Sequence, residues 1–478
     1  MKKLQTVFLS LFLTLILQAQ NAGYQIPITL KPYKNVFVYL AYHYGDKKAI
    51  ADSAWLNEKS EGVFKGKESL HGGIYMVVSP QKQILFELLL DGPQRFSILA
   101  DTVDLARQLR FVGSPENSRF QQYIGFANQL GKESALTQEQ LKRASSSKDS
   151  MVLQYKLRSF GASIKTYRDS IEKKYPSSLL TVLFKAMKDP QIPPAHQHPG
   201  GKYDTAFAYR YFKKHYWDGI SFDDERMIRT PFFEAKLNRY FKDLVAPAPD
   251  SIIPEVDHMI LYSRPSKEMF KYFLVYFVQK YVNPEFMGQD EVFVHLFEKY
   301  VNTGQTDFFT EQYKEYITKR AYSVMANLIG RPASELDMVD SMGVKRNLYS
   351  IQSPLTLVCF WDPTCGHCKE TVPRIDSAYQ ASWKAKGVTI YGVKTDGGRD
   401  QWSQFIKEKK LEEWIHVYEL PETEEAIRKA GKPSFRQLYD VYQTPILYLL
   451  DKDKRIIGKK LTVEQLDEVI RLKTQNKL

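Results

Sequence analysis

The sequence predicts a multidomain α+β protein: an N-terminal β-sandwich, a helical middle domain and a C-terminal α/β domain. Three observations carry this. Short β-branched and aromatic runs bounded by turn residues occupy residues 23–115, and apolar residues recur at helical spacing through 116–326. In residues 327–478 an apolar run, Leu355 to Trp361, leads into Cys365-Gly366-His367-Cys368. A chain of 478 residues, 43% hydrophobic and 26% charged, has the length and composition of two or three ordinary globular domains.

The first 22 residues predict a secretory signal peptide. Lys2 and Lys3 form a short basic region, Val7 to Leu17 an apolar core, and Gln18-Ala19-Gln20-Asn21-Ala22 a small, polar exit. The apolar stretch is too short to span a bilayer. No cysteine follows the cleavage region, so no lipid anchor is indicated, and the expectation is a periplasmic or otherwise exported chain with no stable membrane anchor after cleavage.

Between Tyr24 and Val112 the runs Val36 to Leu40, Gly73 to Val78 and Ile84 to Leu90 predict antiparallel strands. They are separated by Tyr44-Gly45-Asp46, Ser79-Pro80 and Asp91-Gly92-Pro93, and Gly113 to Asn117 closes the segment. The pattern resembles an uncharacterised β-domain that occurs ahead of other domains in envelope proteins. Beyond Ser118 the period becomes helical: Phe270, Phe273, Leu274, Phe277, Val278 and Tyr281 mark one stripe, and Tyr313, Tyr316, Ile317, Ala321 and Val324 another. Such stripes predict helix packing. Breaks fall at Pro190 to Gly201 and at Pro247-Ala248-Pro249, and His196 and His198 in the first break read as residues of a flexible loop.

The formal charge of +12 falls by two once Lys2 and Lys3 are removed. Basic and acidic residues are interspersed with no basic block, which argues for a solvated surface or weak attraction to acidic envelope components and against nucleic acid as a partner.

Only three cysteines in so long an exported chain argue that they serve chemistry rather than structure. Two thiols three apart at a helix start lie close enough to form a disulfide. The unpaired amides of the first turn and the helix dipole stabilise a thiolate on the first sulfur. Cys365 is thus expected as the exposed nucleophile and Cys368 as the more buried resolving thiol. Structural zinc would want four ligands, and only Cys359 remains. Covalent haem attachment needs histidine directly after the second cysteine, where Lys369 stands. No metal and no cofactor are predicted.

Trp361, the CGHC motif, Pro373 five residues after Cys368, and the Thr444-Pro445 step before the apolar run Ile446 to Leu450 occur in that order. With these residues the segment 327–478 resembles the thioredoxin superfamily, most closely the thioredoxin-like reductases and oxidases of bacterial envelopes. The resemblance implies a thioredoxin-like α/β fold. It also implies a cis Pro445 opposite the dithiol, and Trp361, Thr444 and Pro445 as substrate-binding residues. A peroxiredoxin would carry threonine and proline where Asp362 and Val358 stand. Gly366-His367 is the dipeptide of protein disulfide isomerases, and an imidazole beside the thiolate is expected to make the disulfide more oxidising. Thioredoxins place a buried acid six residues before the first cysteine. Here that position is Cys359, read as a small buried hydrophobe, while Glu370 is read as a surface helix residue and Asp362 and Lys369 as motif flank.

The expected function is an exported thiol-disulfide oxidoreductase acting on protein thiols and disulfides, with an unidentified redox partner. The competing expectation is a client-binding or chaperone-like envelope protein that uses the C-terminal fold mainly for recognition. Loss of insulin reduction in Cys365→Ser separates the two.

Overall fold

The computed structural model describes residues 23–475. The expected signal peptide, residues 1–22, lies outside the described residues. The chain packs as two compact units, residues up to 245 with Met259–Tyr272, and Ala246–His258 with Phe273 onward. The helical middle region therefore contributes to both.

The first unit begins with strands β1 (Tyr24–Lys31), β2 (Val36–Tyr44), β3 (Lys47–Leu56), β4 (Glu61–Gly66), β5 (Gly73–Val78), β6 (Ile84–Leu90), β7 (Ser97–Asp101) and β8 (Arg110–Val112). They form two four-stranded sheets, ordered β4-β1-β7-β8 and β3-β2-β5-β6. Alternate residues point inward: Ile26, Ile28 and Leu30 of one sheet share a core with Val38, Leu40, Val77 and Leu88 of the other. That is a β-sandwich. One pairing departs from the antiparallel expectation, since β1 runs parallel to β7, Ile28 opposite Ile98. The whole second sheet intervenes in sequence between these two strands, which gives the chain length a parallel crossover needs.

Two 28-residue helices follow, α1 (Pro115–Lys142) and α2 (Ser147–Lys174). Ser114 and Ser146 accept the first-turn amides of Asn117 and Asp149, and Pro115 occupies the first helical position, where no amide is needed. Asn117 also clamps the edge strand β6, accepting from the Leu89 amide at 2.7 Å and donating to its carbonyl at 2.9 Å. Further helices are α3 (Leu179–Ala186), α4 (Thr205–Lys214) and α5 (Phe233–Arg239). The break between α3 and α4 is pinned rather than flexible: buried His198 bonds the Pro193 carbonyl at 2.8 Å and accepts the Asp204 amide at 3.0 Å. Next come α6 (Pro249–Ser263) and α7 (Lys267–Val282), and in the second unit α8 (Asp290–Leu296) and α9 (Glu311–Met325). Phe273, Leu274, Phe277, Val278 and Tyr281 of α7 are buried as their spacing predicts, whereas Tyr316 of α9 is 48% exposed. No helix among the described residues is long and apolar enough to cross a membrane.

The C-terminal part is a five-stranded sheet in the order β11-β10-β9-β12-β13. Its strands are β9 (Leu355–Trp361), β10 (Val388–Lys394), β11 (Ile415–Tyr418), β12 (Ile446–Leu450) and β13 (Ile456–Lys459). β9, β10 and β11 are parallel, and β12 and β13 antiparallel. Every residue of β9 is buried. Leu355, Leu357, Cys359 and Trp361 face a core shared with α10 (Gly366–Ala378), α11 (Arg399–Lys409) and α13 (Val463–Thr474), the last two separated by α12 (Pro421–Lys429). Val358 and Phe360 face the opposite core with Tyr391, Tyr439 and Tyr448. A sheet covered on both faces explains why its strands read as continuous apolar runs.

Candidate functional site

β9 ends at Trp361 and the chain must turn sharply to start α10. Asp362 folds that turn: its carboxylate accepts the Thr364 amide at 2.7 Å and hydroxyl at 2.8 Å. The Asp362 carbonyl accepts the Cys365 amide at 3.2 Å. Gly397 closes against the same turn with φ +80°, and a Cβ there would stand 2.9 Å from Pro363. Cys365 is the N-cap of α10, with no side-chain oxygen to occupy the first-turn amides. The amides of His367 and Cys368 favour negative charge on its sulfur.

Cys365 is half-buried and Cys368 fully buried, and with Cys359 they are free thiols. Burial opposes ionisation of Cys365. Hydrogen bonds from the Thr444 side chain, the Cys368 amide and thiol and the His367 amide outweigh it and hold its pKa below the ordinary thiol value. The Cys365 thiol also faces the Thr444 carbonyl, Sγ to O 3.3 Å. Cys368 is pushed up to about 12, first by burial and then by its neighbour's charge, although the Asp362 amide donates to its Sγ at 3.4 Å. Cys359 lies opposite Gly392 and Leu447 on the neighbouring strands, and complete burial raises its pKa well above the usual range. The arrangement separates an ionisable outer thiol from a protonated inner one.

Thr444–Pro445 is a cis peptide directly before β12, and Ile446 pairs with Phe360, which places the step beside the dithiol. Thr444 and Pro445 are half-buried, and His367 and Gly366 are exposed. A Cβ on Gly366 would meet nothing within 4 Å, so packing does not demand glycine there. Glu370 is exposed. Pro373 lies inside α10.

Trp361 corrects the expectation of a substrate-contacting residue. It is fully buried, its ring 5.3 Å from Phe405 and 6.0 Å from His416, because it shares strand parity with Cys359 and points into the core. His416 in that cluster is pushed down to about 4 by burial, and its Nε2 bonds the Leu411 carbonyl at 2.8 Å. Asp362, read as motif flank, instead builds the turn and serves Cys368. The signal was available in Asp-Pro-Thr, residues that form side-chain-closed turns. Among the described residues no group of three histidine, cysteine or acidic side chains could hold a metal ion.

Residues 354–456 match the family model described as thioredoxin-like, and residues 133–323 match that of a domain of unknown function (DUF5106). No curated protein matches the chain. Similar solved structures include a thioredoxin-like protein from Bacteroides caccae, 22% identical, covering 60% of this chain and 99% of that one at a TM-score of 0.46. A domain of a possible thiol-disulfide isomerase from Cytophaga hutchinsonii is 33% identical, covering 31% and 95% at a TM-score of 0.27. The thioredoxin domain of a thiol-disulfide oxidoreductase from Bacteroides vulgatus is 26% identical, covering 30% and 97% at a TM-score of 0.27.

Proposed function

We propose that this chain, whose C-terminal segment is a thioredoxin-like domain, is an exported thiol-disulfide oxidoreductase that exchanges disulfides with protein substrates through Cys365 and Cys368. The observation that carries the reading is the division between the two sulfurs. Cys365 stands at the N-cap position of a helix, is half-exposed and is acidified by hydrogen bonds from Thr444 and then from the first-turn amides, while Cys368 is buried behind it and protonated.

In the reducing direction the Cys365 thiolate attacks one sulfur of a substrate disulfide. That S–S bond breaks, the leaving thiolate takes a proton, and Cys365 is held in a mixed disulfide. Bonding removes the negative charge on Cys365 that opposes ionisation of Cys368. Cys368 then loses its proton and attacks the Cys365 sulfur, releasing the second substrate thiol. Two electrons and two protons pass to the substrate, and the chain is left with a Cys365–Cys368 disulfide. A dithiol protein restores the reduced form; where a disulfide-bearing partner instead keeps the pair oxidised, a substrate dithiol attacks the Cys365–Cys368 disulfide and the same steps run backwards.

The basic, apolar and small polar regions of residues 1–22 support export, and the redox chemistry fits an oxidising compartment. Insulin reduction by full-length protein, with wild type compared with Cys365→Ser and Cys368→Ser, tests the reading. Turnover is expected to vanish in the first variant, and mixed disulfides to accumulate in the second. Full turnover in Cys365→Ser would overturn it.

A further inference from the structure

Two depressions adjoin the Thr444–Pro445 step, both within the unit that carries the dithiol. One, of about 490 Å³, is lined by His367, Thr371, Gln443, Pro445 and Lys460 among others. The second, of about 500 Å³, is lined by Tyr316, Arg320, Asp440, Tyr442 and Lys460 among others. Gln443, Ile446 and Lys460 border both, so the two run together as one groove from His367 and Pro445, beside the dithiol, to Tyr316 and Arg320 of α9. Part of α9 lies in the stretch matching the domain of unknown function.

The far end of this groove carries an excess of positive charge. Asp440, 3% exposed, accepts from the Arg320 guanidinium and the Lys460 ammonium, and the Ser323 hydroxyl lies 3.4 Å away. Its pKa stays low despite burial because these two cations face it. One carboxylate thus serves two cations. Arg320 is further engaged by the Val282 carbonyl at 3.4 Å, but Lys460 has a 42% exposed side chain and ammonium hydrogens beyond its bond to Asp440. The other charges bordering the groove are balanced locally, Lys319 by Glu315 and Arg374 by Glu464. The Lys460 amide donates to the Leu447 carbonyl at 2.8 Å, which fixes its backbone two residues along the strand from Pro445. Tyr316 and Tyr442, 48% and 73% exposed, add flat apolar faces with polar tips.

We infer that this groove receives an extended protein segment around the substrate cysteine, and that Lys460 selects an acidic side chain a few residues from that cysteine. The inference rests on the oxidoreductase reading of Cys365. It gives the helical region a share in the site, because α9 forms the wall that Arg320 and Tyr316 contribute.

The test uses the full reduced chain and disulfide peptides identical except for Glu or Gln, placed in turn at two to four residues on either side of the cysteine. Mixed-disulfide formation is followed by its second-order rate constant, with neutral bis(2-hydroxyethyl) disulfide as reference. Wild type is expected to prefer the Glu peptide at one placement by about two- to fivefold at an ionic strength of about 0.01 M, and to lose the preference in about 1 M salt. Lys460→Gln should abolish the preference, Lys460→Arg retain it and Lys460→Glu invert it. Equal rates for Glu and Gln peptides at every placement in wild type, with the reference disulfide still reacting, would overturn the inference alone. A preference undiminished in Lys460→Gln would do the same. A wild type inert to the reference disulfide would overturn the oxidoreductase reading, and this inference with it.

Discussion

Alkylation of the reduced protein offers a direct measure of how far the two sulfurs of the CGHC motif are set apart. Burial pushes Cys368 up to about 12, whereas hydrogen bonds shift Cys365 downward. At pH 8 Cys368 is then ionised in about one molecule in ten thousand, against roughly a quarter of an unperturbed thiol of pKa about 8.5, and Cys365 is shifted the other way. Basic thiolates are the better nucleophiles, and a Brønsted slope of about 0.4 to 0.5 returns roughly one and a half of the three orders of magnitude. Iodoacetamide should therefore modify Cys365 about fifty- to a hundredfold faster than Cys368, before the deeper burial of Cys368 widens the gap. As pH rises from about 6 to 9, labelling of Cys365 should climb and level off below the usual thiol range, while labelling of Cys368 rises about tenfold per unit throughout. Time-resolved labelling with mass-spectrometric mapping reads all three cysteines at once. If Cys368 or Cys359 reacted within about fivefold of Cys365 at pH 8, the assignment of nucleophile and resolving thiol would fail.

Replacing His367 by proline removes both the imidazole and the amide that donates to Cys365, so the thiolate loses support and the disulfide becomes harder to reduce. Equilibration with graded glutathione buffers should show a more reducing protein, and a variant as oxidising as wild type would dismiss the tuning role. His416, held down to about 4 from an ordinary 6.5, stays neutral in the fold while the unfolded chain takes up a proton. Stability from this site is thus present above pH 6.5 and is lost as pH falls through 4, about 3 kcal/mol in all. Denaturant titrations at the two ends of that range should show a shallower loss for His416→Gln, and parallel slopes would count against it. Lys459 is buried with Asp290 and bonds the Asn327 carbonyl at 2.8 Å and side-chain oxygen at 2.9 Å. Lys459→Met should cost about 3 to 5 kcal/mol by stranding the carboxylate, and the double change with Asp290→Leu should cost less. Equal costs for single and double changes would deny the coupling.

The dithiol was legible because its parts are contiguous: an apolar strand, a turn and two cysteines at helical spacing need no distant partner to be recognised. Strand β3, Lys47–Leu56, has no comparable apolar signature, because Lys47, Lys48, Asp52 and Ser53 interrupt it and apolar residues do not dominate the window. Trp361 stands next to the motif in sequence, but its period-two parity with Leu357 and Cys359 assigns it to the buried face. The groove had no local signature. Arg320 and Asp440 lie 120 residues apart in sequence, and only the fold brings their charges onto Lys460.

β13 is the outermost strand of the C-terminal sheet, and such a strand ordinarily leaves unpaired amides open to any passing chain. Here the Lys459 amide meets the Met287 sulfur at 3.3 Å, and the lysine side chain is tied down by Asp290 and Asn327. Residues far upstream of the thioredoxin-like fold thus act as a guard rail along its outer flank. A fragment beginning at residue 327 would lose Met287 and Asp290, and a fragment limited to 354–456 would lose nearly all of β13 and bare the flank of β12 instead. Either truncation invites strand-to-strand pairing between copies, so full-length protein is the form in which a dithiol assay reports on the dithiol rather than on self-association.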